Sequence, residues 1–393
     1  MSMTIGLAGK PNSGKSTFFK AATMADVEIA NYPFTTINAN RGVAYIRVDC
    51  PCIETDKRCG NCKDGIRFVP IEMIDVAGLV PDAHMGRGLG NTFLDELRQA
   101  QAIIHVIDAS GGTDIEGNPV DIGSHDPLED VDFLNHELTM WMVGILNRNW
   151  TKLSRKIQAE GLNIEHAIAD QLLGAGVNSE QVHTAQRNCN MLTDHVKWTD
   201  DDLITLCDAI RAISKPMIIA ANKADLASKE NIENLTGLDM MVVPTSAAAE
   251  LALRSAAKGG AITYMPGDLD FTIASDKLSD AQKTGLENVR ALIKNNDGSG
   301  IQKCINKAVF ELLNLIVVYP VEDEGKWIDK NDRMLPDAFL MKKGSNAHDL
   351  AYMVHSDIGN RYLYAVNGRT KMRLGEKHEL DNGDVIKIVS TAK

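Results

Sequence analysis

The first residues whose types and spacing could perform chemistry lie in a glycine-rich segment at 9–16. Its sequence, Gly-Lys-Pro-Asn-Ser-Gly-Lys-Ser, fits the pattern G-x-x-x-x-G-K-[ST] and follows the apolar run Met3 to Ala8. Backbone N–H groups of such a loop surround a phosphate, its lysine adds positive charge, and its last hydroxyl reaches Mg²⁺. We therefore predict a nucleotide site. Its predicted phosphate contacts are Gly9, Lys10, Pro11, Asn12, Ser13, Gly14, Lys15, Ser16 and Thr17.

Two further segments could complete the phosphate and metal site. The tetrapeptide Asp-Val-Ala-Gly at 75–78 ends an apolar run, where Asp75 can hold a Mg²⁺ water and the Gly78 N–H can contact the γ-phosphate. Between the first predicted helix and the next strand, a loop hydroxyl must reach Mg²⁺ in the triphosphate state. We choose Thr36 for this role, with Thr35 as the alternative. The predicted catalytic groups are Lys15, Thr36 and Gly78, and the predicted Mg²⁺ ligands are Ser16, Thr36 and Asp75.

The segment Asn-Lys-Ala-Asp at 222–225 has the chemistry to recognise guanine. It follows the apolar run Met217 to Ala221. The Asp225 carboxylate can accept from both N1–H and the exocyclic amine of guanine, whereas adenine offers no such pair of donors. Lys223 can cover the base plane with its stem, and Asn222 can join the loops around the base. The segment therefore predicts GTP as the ligand.

A second loop could contribute to the same base site. Ser246 and Ala247 follow another apolar run, which places the Ala247 N–H where guanine O6 could accept a hydrogen bond. With the segments at 9–16, 75–78 and 222–225, this loop makes four nucleotide-binding segments in the expected order along the chain. The order is what makes the guanine prediction specific, because each short segment alone is common.

Four cysteines, Cys50, Cys52, Cys59 and Cys62, form a cluster between two predicted strands. Four thiolates at the tip of a hairpin could bind tetrahedral Zn²⁺, and the glycine after Cys59 suits a tight metal knuckle. The C-x-C spacing of the first pair is closer than usual. Free or redox-active thiols and an iron–sulfur cluster therefore remain as alternatives to structural zinc.

Length, charge and hydropathy limit the class of protein. The chain has 393 residues, which exceeds what one hydrophobic core usually organises, so we expect two or three domains. A formal net charge of −12 argues against nonspecific coating of nucleic acid, because that mode needs a strongly positive surface. The sequence contains neither an export signal nor a run of about 18 apolar residues. We expect a soluble, cytoplasmic protein without membrane contact.

Apolar periodicity predicts the elements that must position these groups. Short apolar runs bounded by Gly, Asn or Pro are typical of buried parallel strands. Helical spacing between the runs Ile103 to Asp108 and Met217 to Ala221 predicts an insertion of about 85 residues. A second helical repeat, from Ile301 to Ile316, precedes a C-terminal module. From Leu335 onward, the pattern strand, helix, strand, strand, with an Asn-Gly turn at 367–368, predicts a small β-grasp fold.

The predicted fold class is therefore α/β, with a P-loop nucleotide domain, a helical insertion and a C-terminal β-grasp domain. Its predicted segments are the first part of the nucleotide domain at 1–125, the helical insertion at 126–212, the second part of the nucleotide domain at 213–265, a helical linking region at 266–334 and the β-grasp domain at 335–393.

Three segments together resemble the Obg-related (HAS-type) GTPases, particularly the archaeal branch of the YchF type. They are Gly-Lys-Pro-Asn-Ser-Gly-Lys-Ser-Thr-Phe-Phe at 9–19, Asn-Tyr-Pro-Phe-Thr-Thr-Ile at 31–37 and Asp-Val-Ala-Gly-Leu-Val at 75–80. The segments 335–340 and 381–386 are similar to TGS sequences. The resemblance covers nearly the whole chain. It implies a GTPase domain that is interrupted by a helical domain and followed by a TGS domain of the β-grasp fold.

We accordingly predict a slow GTPase that converts GTP to GDP and phosphate with Mg²⁺ and acts as a nucleotide-dependent switch. The resemblance implies an association with ribosomes or RNA, through the TGS and helical domains. Many YchF-type proteins carry Asn-x-x-Glu at the base position and prefer ATP, whereas this chain has Asp225. An ATPase of the YchF type is therefore one alternative. A nucleotide-regulated RNA- or ribosome-binding module with incidental hydrolysis is the other.

Two departures from Ras-type switches concern hydrolysis. The residue after Gly78 is Leu79, where those switches have a water-orienting glutamine, so intrinsic hydrolysis should be slow. His84 is a candidate for the missing group, although a solvated loop histidine is the simpler interpretation. Asn12 resembles the asparagine that holds K⁺ beside the phosphates in several GTPases with a similar loop. The alternative is that Asn12 only braces a loop.

Overall fold

The computed structural model describes residues 3–24, 40–78, 81, 96–191 and 194–391. These residues form two compact units. The first unit comprises 3–24, 40–44, 72–78, 81, 96–191 and 194–304, and the second comprises 45–71 and 305–391. In the described part of the chain, no helix combines the length and apolarity that a membrane crossing requires.

A six-stranded sheet positions the predicted nucleotide segments. Its strands are β1 (Thr4–Ala8), β2 (Arg41–Asp49), β3 (Ile66–Asp75), β4 (Ala102–Asp108), β5 (Met217–Asn222) and β6 (Met241–Pro244), in the order β2-β3-β1-β4-β5-β6. The pairs β1–β3, β1–β4, β4–β5 and β5–β6 are parallel. Every residue of β1, β4 and β5 is buried, as expected for strands covered on both faces. Because these strands are parallel, their carboxyl ends meet at one edge of the sheet.

Helix α1 (Lys15–Thr23) follows β1. A helical region separates β4 from β5, and it contains α2 (Pro127–Asn147), α3 (Trp150–Glu160), α4 (Ile164–Gln171), α5 (Ser179–Asn188) and α6 (Asp200–Ser214). Side chains of Asp126, Asn163, Asn178 and Thr199 accept first-turn N–H groups of α2, α4, α5 and α6. The region has its own apolar core, in which Trp150 and Trp198 stack with ring centroids 5.3 Å apart.

Besides β6, the described residues 223–307 contain six further α-helices and β-strands. They are α7 (Lys229–Thr236), α8 (Ala247–Lys258), β7 (Ile262–Thr263), β8 (Thr272–Ile273), α9 (Asp280–Asn295) and α10 (Ile301–Lys307). A small apolar core formed by Leu253, Tyr264, Phe271 and Ile293 holds α8 and α9 together with the segment that joins them.

The second unit contains a five-stranded sheet with a helix packed on it. Its elements are β9 (Leu315–Val321), β10 (Phe339–Lys342), α11 (Ala347–Val354), α12 (Ser356–Asn360), β11 (Tyr362–Asn367), β12 (Arg373–Leu374) and β13 (Val385–Ser390). The strand order is β10-β9-β13-β11-β12, and β13 pairs with β9 in parallel. Apolar side chains of α11, such as Leu350, pack on Val318 and Ile386 of the sheet. A helix over such a mixed sheet is the β-grasp arrangement that the sequence pattern predicts.

Strand β9 differs from the sequence prediction. The helical repeat was expected to continue to Ile316 and the β-grasp domain to begin at Leu335, yet Ile316 lies in β9, a central strand of the five-stranded sheet. Val317 and Val318 are also buried, so both faces of β9 are covered. A strand buried on both faces has no alternation of apolar and polar residues, and its apolar run therefore extends the preceding helical pattern. The predicted boundaries of the nucleotide domain and of the helical insertion remain predictions.

Candidate nucleotide-binding site

The phosphate loop is the turn between β1 and α1. Gly14 immediately precedes α1 with a φ of 94°, a left-handed conformation that favours glycine. A Cβ atom on Gly14 would lie 2.1 Å from Nδ2 of Asn222. This close approach lets Asn222 Nδ2 donate to the Ser13 carbonyl oxygen at 2.9 Å. The phosphate loop and the 222–225 segment are therefore in direct contact. Thr17 lies in the first turn of α1.

Ser16, Lys15 and Asp75 meet at one corner of the loop. The Ser16 hydroxyl donates to Asp75 Oδ2 at 3.1 Å, and Lys15 Nζ lies 3.7 Å from Asp75 Oδ1. Asp75 Oδ1 is buried and has no hydrogen-bond partner among the described residues. A buried carboxylate oxygen without a hydrogen bond costs free energy, which a bound cation or its water would offset. One hydroxyl and one carboxylate are oxygen ligands of the kind that Mg²⁺ takes, so these residues fit the predicted metal.

Gly78 lies against the phosphate loop. A Cβ atom on Gly78 would come within 3.1 Å of Pro11 Cγ, so a larger residue would press on the loop. The glycine thus keeps the 75–78 segment close to the predicted phosphate position. The other residues predicted for this part of the site, Thr36, Thr35, Leu79 and His84, lie outside the described residues.

The side chain of Lys10 is held by residues outside the phosphate loop. Lys10 is buried, and its Nζ donates to Asp130 Oδ1 and to the Thr113 carbonyl oxygen, both at 2.8 Å. Asp130 belongs to α2 and also bonds to Nε2 of His125 at 2.8 Å. Burial raises the pKa of Asp130 even though Lys10 and His125 bond to it. The ion pair occupies the Lys10 side chain, and the backbone N–H of Lys10 stays a predicted phosphate contact.

Asn12 braces a second loop on the phosphate loop. Its Nδ2 donates to the Gly117 carbonyl oxygen at 3.0 Å. A Cβ atom on Gly117 would lie 2.5 Å from the Pro11 carbonyl oxygen, so the loop after β4 closes tightly on this turn. The Oδ1 atom of Asn12 bonds to none of the described residues. Bracing through Nδ2 and binding of a cation through Oδ1 are therefore compatible.

Asn222 also holds the loop after β6. Its Oδ1 accepts from the Ala247 N–H at 3.0 Å and lies 3.5 Å from the Thr245 hydroxyl oxygen. The N–H that was predicted to serve guanine O6 is thus donated to Asn222 in this structure. Ser246 caps α8, since its hydroxyl accepts from the Ala249 N–H. One buried amide side chain therefore joins the two loops predicted to contact the base with the phosphate loop.

Lys223 and Asp225 differ in their surroundings. Lys223 has a φ of 58°, and its Nζ pairs with Asp108 Oδ2 at 2.7 Å. Burial of Asp108 raises its pKa, but the bonds from Lys223 and Ser110 outweigh this and hold the pKa below its ordinary value. Asp225 is exposed and bonds to no residue that the structure describes. Its carboxylate is therefore available to a ligand.

A buried network around Glu250, which the sequence analysis missed, supports the 245–247 loop. Glu250 is fully buried and accepts hydrogen bonds from Arg254 at 2.7 Å, the Tyr264 hydroxyl at 2.8 Å and the Ser299 hydroxyl at 2.5 Å. The Ser299 carbonyl oxygen in turn accepts from the Ser246 N–H at 2.8 Å. The sequence signal was an acidic and a basic residue four positions apart, which usually marks an exposed pair on a helix.

The four clustered cysteines lie together between β2 and β3. Their Sγ atoms all lie within 4.8 Å of one another, with Cys50–Cys59 at 3.6 Å, Cys52–Cys62 at 3.4 Å and Cys59–Cys62 at 3.6 Å. The edges of a tetrahedral zinc–thiolate site are about 3.8 Å long. Asn61 donates its backbone N–H to Cys59 Sγ at 3.3 Å. The bond from the Cys50 thiol lowers the pKa of Cys59 to about 5. The donor set fits a tetrahedral thiophilic metal.

Three family models match parts of the chain. The model described as 50S ribosome-binding GTPase matches residues 4–138. The model described as Obg-like GTPase YGR210-like, G4 motif-containing domain matches residues 220–323. The TGS domain model matches residues 331–390. The matches cover the nucleotide segments and the β-grasp sheet.

Whole-length similarity to known proteins supports the same assignment. An uncharacterized GTP-binding protein of Methanocaldococcus jannaschii is 51% identical, and the alignment covers 99% of each chain. The ribosome-binding ATPase YchF of Bacillus subtilis is 26% identical, with 98% of each chain covered. The crystal structure of a GTP binding protein from Pyrococcus horikoshii OT3 matches with a TM-score of 0.80 and 43% identity, covering 99% of this chain and 100% of that one.

The fold also matches a more distant solved structure. The YchF GTPase of Schizosaccharomyces pombe superposes with a TM-score of 0.58 at 19% identity, covering 99% of this chain and 98% of that one. That likeness concerns the fold alone. Together, these findings confirm the predicted fold class and the resemblance seen in the sequence: the chain belongs to the YchF-type, Obg-like P-loop GTPases with a C-terminal TGS domain.

Proposed function

We propose that the chain binds GTP with Mg²⁺ and hydrolyses it to GDP and phosphate as a nucleotide-dependent switch. The observation that carries this proposal is the exposed Asp225 carboxylate, which bonds to no described residue and follows Asn222 in the base-recognition segment. Asn222 is already fixed to the phosphate loop. A base that bonded to Asp225 would therefore lie beside the phosphates of the same nucleotide.

Each residue of the site has a role in this proposal. Lys15 places a positive charge at the β- and γ-phosphates, and the N–H of Gly78 contacts the γ-phosphate. Ser16 and Asp75, which already bond to each other, would hold Mg²⁺ together with Thr36. When bound, the metal neutralises phosphate charge. These charges and donors would stabilise the negative charge that develops during phosphoryl transfer.

Hydrolysis in this proposal is slow without a further group. Leu79 offers no polar atom for the attacking water. K⁺ held by Asn12 Oδ1 is one way to supply positive charge, because Nδ2 of that amide is already engaged with Gly117. A group from a partner is the other way.

We propose that the partner is the ribosome or an RNA, contacted by the TGS domain and the helical region. The Bacillus subtilis relative is named a ribosome-binding ATPase, and this name supports the proposal. Such a partner would place the protein in the cytoplasm. We also propose that the chain is divided into a nucleotide domain, a helical insertion, a linking region and a TGS domain.

The Cys50, Cys52, Cys59 and Cys62 cluster is proposed as a structural zinc site. The clustering of the four Sγ atoms within 4.8 Å supports it. Elemental analysis of the purified chain should give about one equivalent of zinc, and the Cys62→Ser variant should lose it while keeping its affinity for GTP. Protein prepared with zinc available but carrying none would refute this site.

Two alternatives remain for the nucleotide site. The first is an ATPase, which the names of several relatives favour. The second is a nucleotide-regulated binding module whose hydrolysis is incidental. Single-turnover phosphate release from GTP, with and without ribosomes, separates the switch from this module. The switch requires GTP cleavage in at least one condition, and faster cleavage with ribosomes if a partner supplies the missing group. Equal, negligible rates in both conditions would favour the module.

A further inference from the structure

Arg67 is a buried cation without a charged partner. Its side chain lies on β3 of the cysteine hairpin and is 6% exposed as a residue. The guanidinium donates only to backbone carbonyl oxygens, that of Leu335 at 2.6 Å and that of Pro336 at 3.0 Å. It forms no ion pair with any residue that the structure describes. Buried arginines are rarely left unpaired, because desolvation of the charge is expensive. A counter-charge is therefore missing.

The cysteine cluster lies beside the groups that Arg67 contacts. Asn61, which stands between Cys59 and Cys62, donates its Nδ2 to the same Leu335 carbonyl oxygen at 3.3 Å. Arg67 also lies over the Tyr319 ring, with Cζ 5.3 Å from the ring centroid. The Tyr319 hydroxyl is buried and has no hydrogen-bond partner among the described residues. Asn61 of the cysteine cluster and Arg67 therefore both donate to the Leu335 carbonyl oxygen, and the unpaired Tyr319 hydroxyl lies next to Arg67.

A metal in the cluster would supply the missing charge. Four thiolates around one divalent cation carry a net formal charge of about −2. In a buried setting, such a charge attracts a nearby cation and accepts hydrogen bonds at sulfur. Without the metal, the four sulfur atoms are not all thiolates, so the cluster carries less negative charge to balance Arg67. The negative charge of a zinc–thiolate centre would explain why Arg67 is buried without an acidic side chain as its partner.

We propose that the zinc–thiolate centre is the counter-charge of Arg67, and that the two together form a zinc-dependent clasp on the 335–336 segment. The clasp consists of Asn61 and Arg67 on the hairpin and of the carbonyl groups of Leu335 and Pro336. This inference rests on the proposed zinc site. Metal loss reduces the negative charge that balances Arg67 and frees the Cys59–Cys62 turn, so the start of the TGS domain loses its attachment to the hairpin.

A second contact lets the clasp open without separating the hairpin from the β-grasp sheet. Arg369 binds Glu54 of the hairpin through two hydrogen bonds of 2.7 Å, and this pair contains no metal ligand. We therefore expect local opening at 335–336 rather than global unfolding when zinc is removed. Leu335 is fully buried, and its N–H donates to the Trp327 carbonyl oxygen, so opening is visible as faster amide exchange there.

The attraction between Arg67 and the zinc–thiolate centre is tested by measuring zinc affinity, from the transfer of zinc from the chain to a chelating dye. Arg67→Gln keeps a hydrogen-bond donor but removes the charge, and it should lower zinc affinity by about tenfold or more. Arg67→Lys restores the charge and should stay within about threefold of the wild type. The matched control is Lys57→Gln, at an exposed cation of the same hairpin, which should also stay within about threefold. Equal affinities for Arg67→Gln and Lys57→Gln would overturn the proposal.

The clasp itself is tested on the unaltered chain by hydrogen exchange. Removing zinc with a chelator should speed exchange in peptides that span 327–340, and adding zinc back should reverse the change. Unchanged exchange in a chain that has lost its zinc would overturn the clasp while leaving the zinc site standing. A chain purified without metal would refute the zinc site and the clasp together. GTP binding, measured on the same samples, reports on the nucleotide site separately.

Discussion

The side-chain amide of Asn222 donates to the Ser13 carbonyl oxygen at 2.9 Å and accepts from the Ala247 N–H at 3.0 Å. One residue of the base-recognition segment thereby fixes both the phosphate loop and the loop after β6. Gly14 permits this arrangement, because any Cβ atom there would overlap Asn222. The base and phosphate halves of the site are consequently joined before a nucleotide arrives.

Replacing Asn222 with alanine should therefore affect folding as well as binding. The Asn222→Ala variant leaves the buried Ser13 carbonyl and the Ala247 N–H without their partner. The free energy of unfolding should fall by about 1–3 kcal/mol, and GTP affinity should fall as well. Denaturant unfolding with and without nucleotide measures both. Asn231→Ala, which removes a single partly buried bond to the Ala109 carbonyl, is the matched control and should have a smaller effect. Equal effects would contradict the bridging role.

Lys10 and Lys15 should have opposite phenotypes although both lie in the phosphate loop. Lys10→Met leaves the buried Asp130 with His125 as its only charged partner, which should lower stability by about 3–5 kcal/mol. Lys15→Met should leave stability nearly unchanged and abolish tight GTP binding, because its charge is predicted to serve the phosphates. Thermal unfolding and GTP titration of both variants provide the measurement. A stable Lys10→Met protein that fails only in GTP binding would show that the Lys10 side chain does contact phosphate.

Lys215 predicts a pH dependence of stability. Burial lowers its pKa to about 8, and its Nζ donates to the carbonyl oxygens of Arg98 and Ala100. Between this value and the ordinary 10.5, the unfolded chain binds more protons at Lys215 than the folded chain does. Stability should therefore rise with pH in this window, by roughly 3 kcal/mol in total from this group. Denaturant unfolding from pH 7 to 10 measures it, with Lys215→Met as the reference that lacks this rise. Parallel profiles would refute the prediction.

The cation prediction concerns Asn12. If Oδ1 holds K⁺ beside the phosphates, replacing Na⁺ with K⁺ should raise the GTP turnover rate by about a hundredfold to a thousandfold in the wild type. The Asn12→Ala variant should show no such increase. Leu79→Gln should also fail to accelerate turnover. Equal wild-type rates in Na⁺ and K⁺ would favour the bracing role, in which Asn12 only holds Gly117, and would leave a partner-supplied group as the accelerator.

Local patterns predicted the parts of the fold that depend on few residues. The glycine-rich turn, the buried parallel strands and the cysteine cluster each follow from residues close together in the sequence. Strand β9 was missed because Ile316 continues a helical repeat, and only its pairing with β10 and β13 reveals a strand. Deletion from Leu335, the predicted boundary, would leave β9 unpaired. A TGS-domain truncation is therefore a poor test of partner binding.

Long-range contacts decided the rest of the site. Nothing near Lys10 in the sequence indicates that its side chain pairs with Asp130, which lies 120 positions away. Glu250 likewise depends on Ser299, from a segment without a recognisable motif. Such partners are set by packing between elements, and a single sequence does not contain that information. Arg67 is a further example, because its burial is visible only in the folded chain.

Base recognition by Asp225 is tested by a single substitution. Asp225→Asn replaces the carboxylate that would accept from the guanine amine with an amide that can donate to xanthine O2. GTP affinity should fall by about 1.5–3 kcal/mol, and affinity for xanthosine triphosphate should rise. Asp239→Asn, at another exposed aspartate, is the control and should bind GTP like the wild type. An unchanged GTP dissociation constant for Asp225→Asn would remove the guanine assignment from this loop.

Competition between GTP and ATP for the purified chain measures whether the site recognises guanine. A fluorescent GTP analogue is bound in the presence of Mg²⁺ and displaced by unlabelled GTP or ATP. We predict displacement by GTP at concentrations at least about tenfold lower than by ATP, because only guanine offers Asp225 two donors, and 1.4 kcal/mol corresponds to a factor of about ten. Displacement by ATP at equal or lower concentrations would contradict the account and identify the chain as an ATPase of the YchF type.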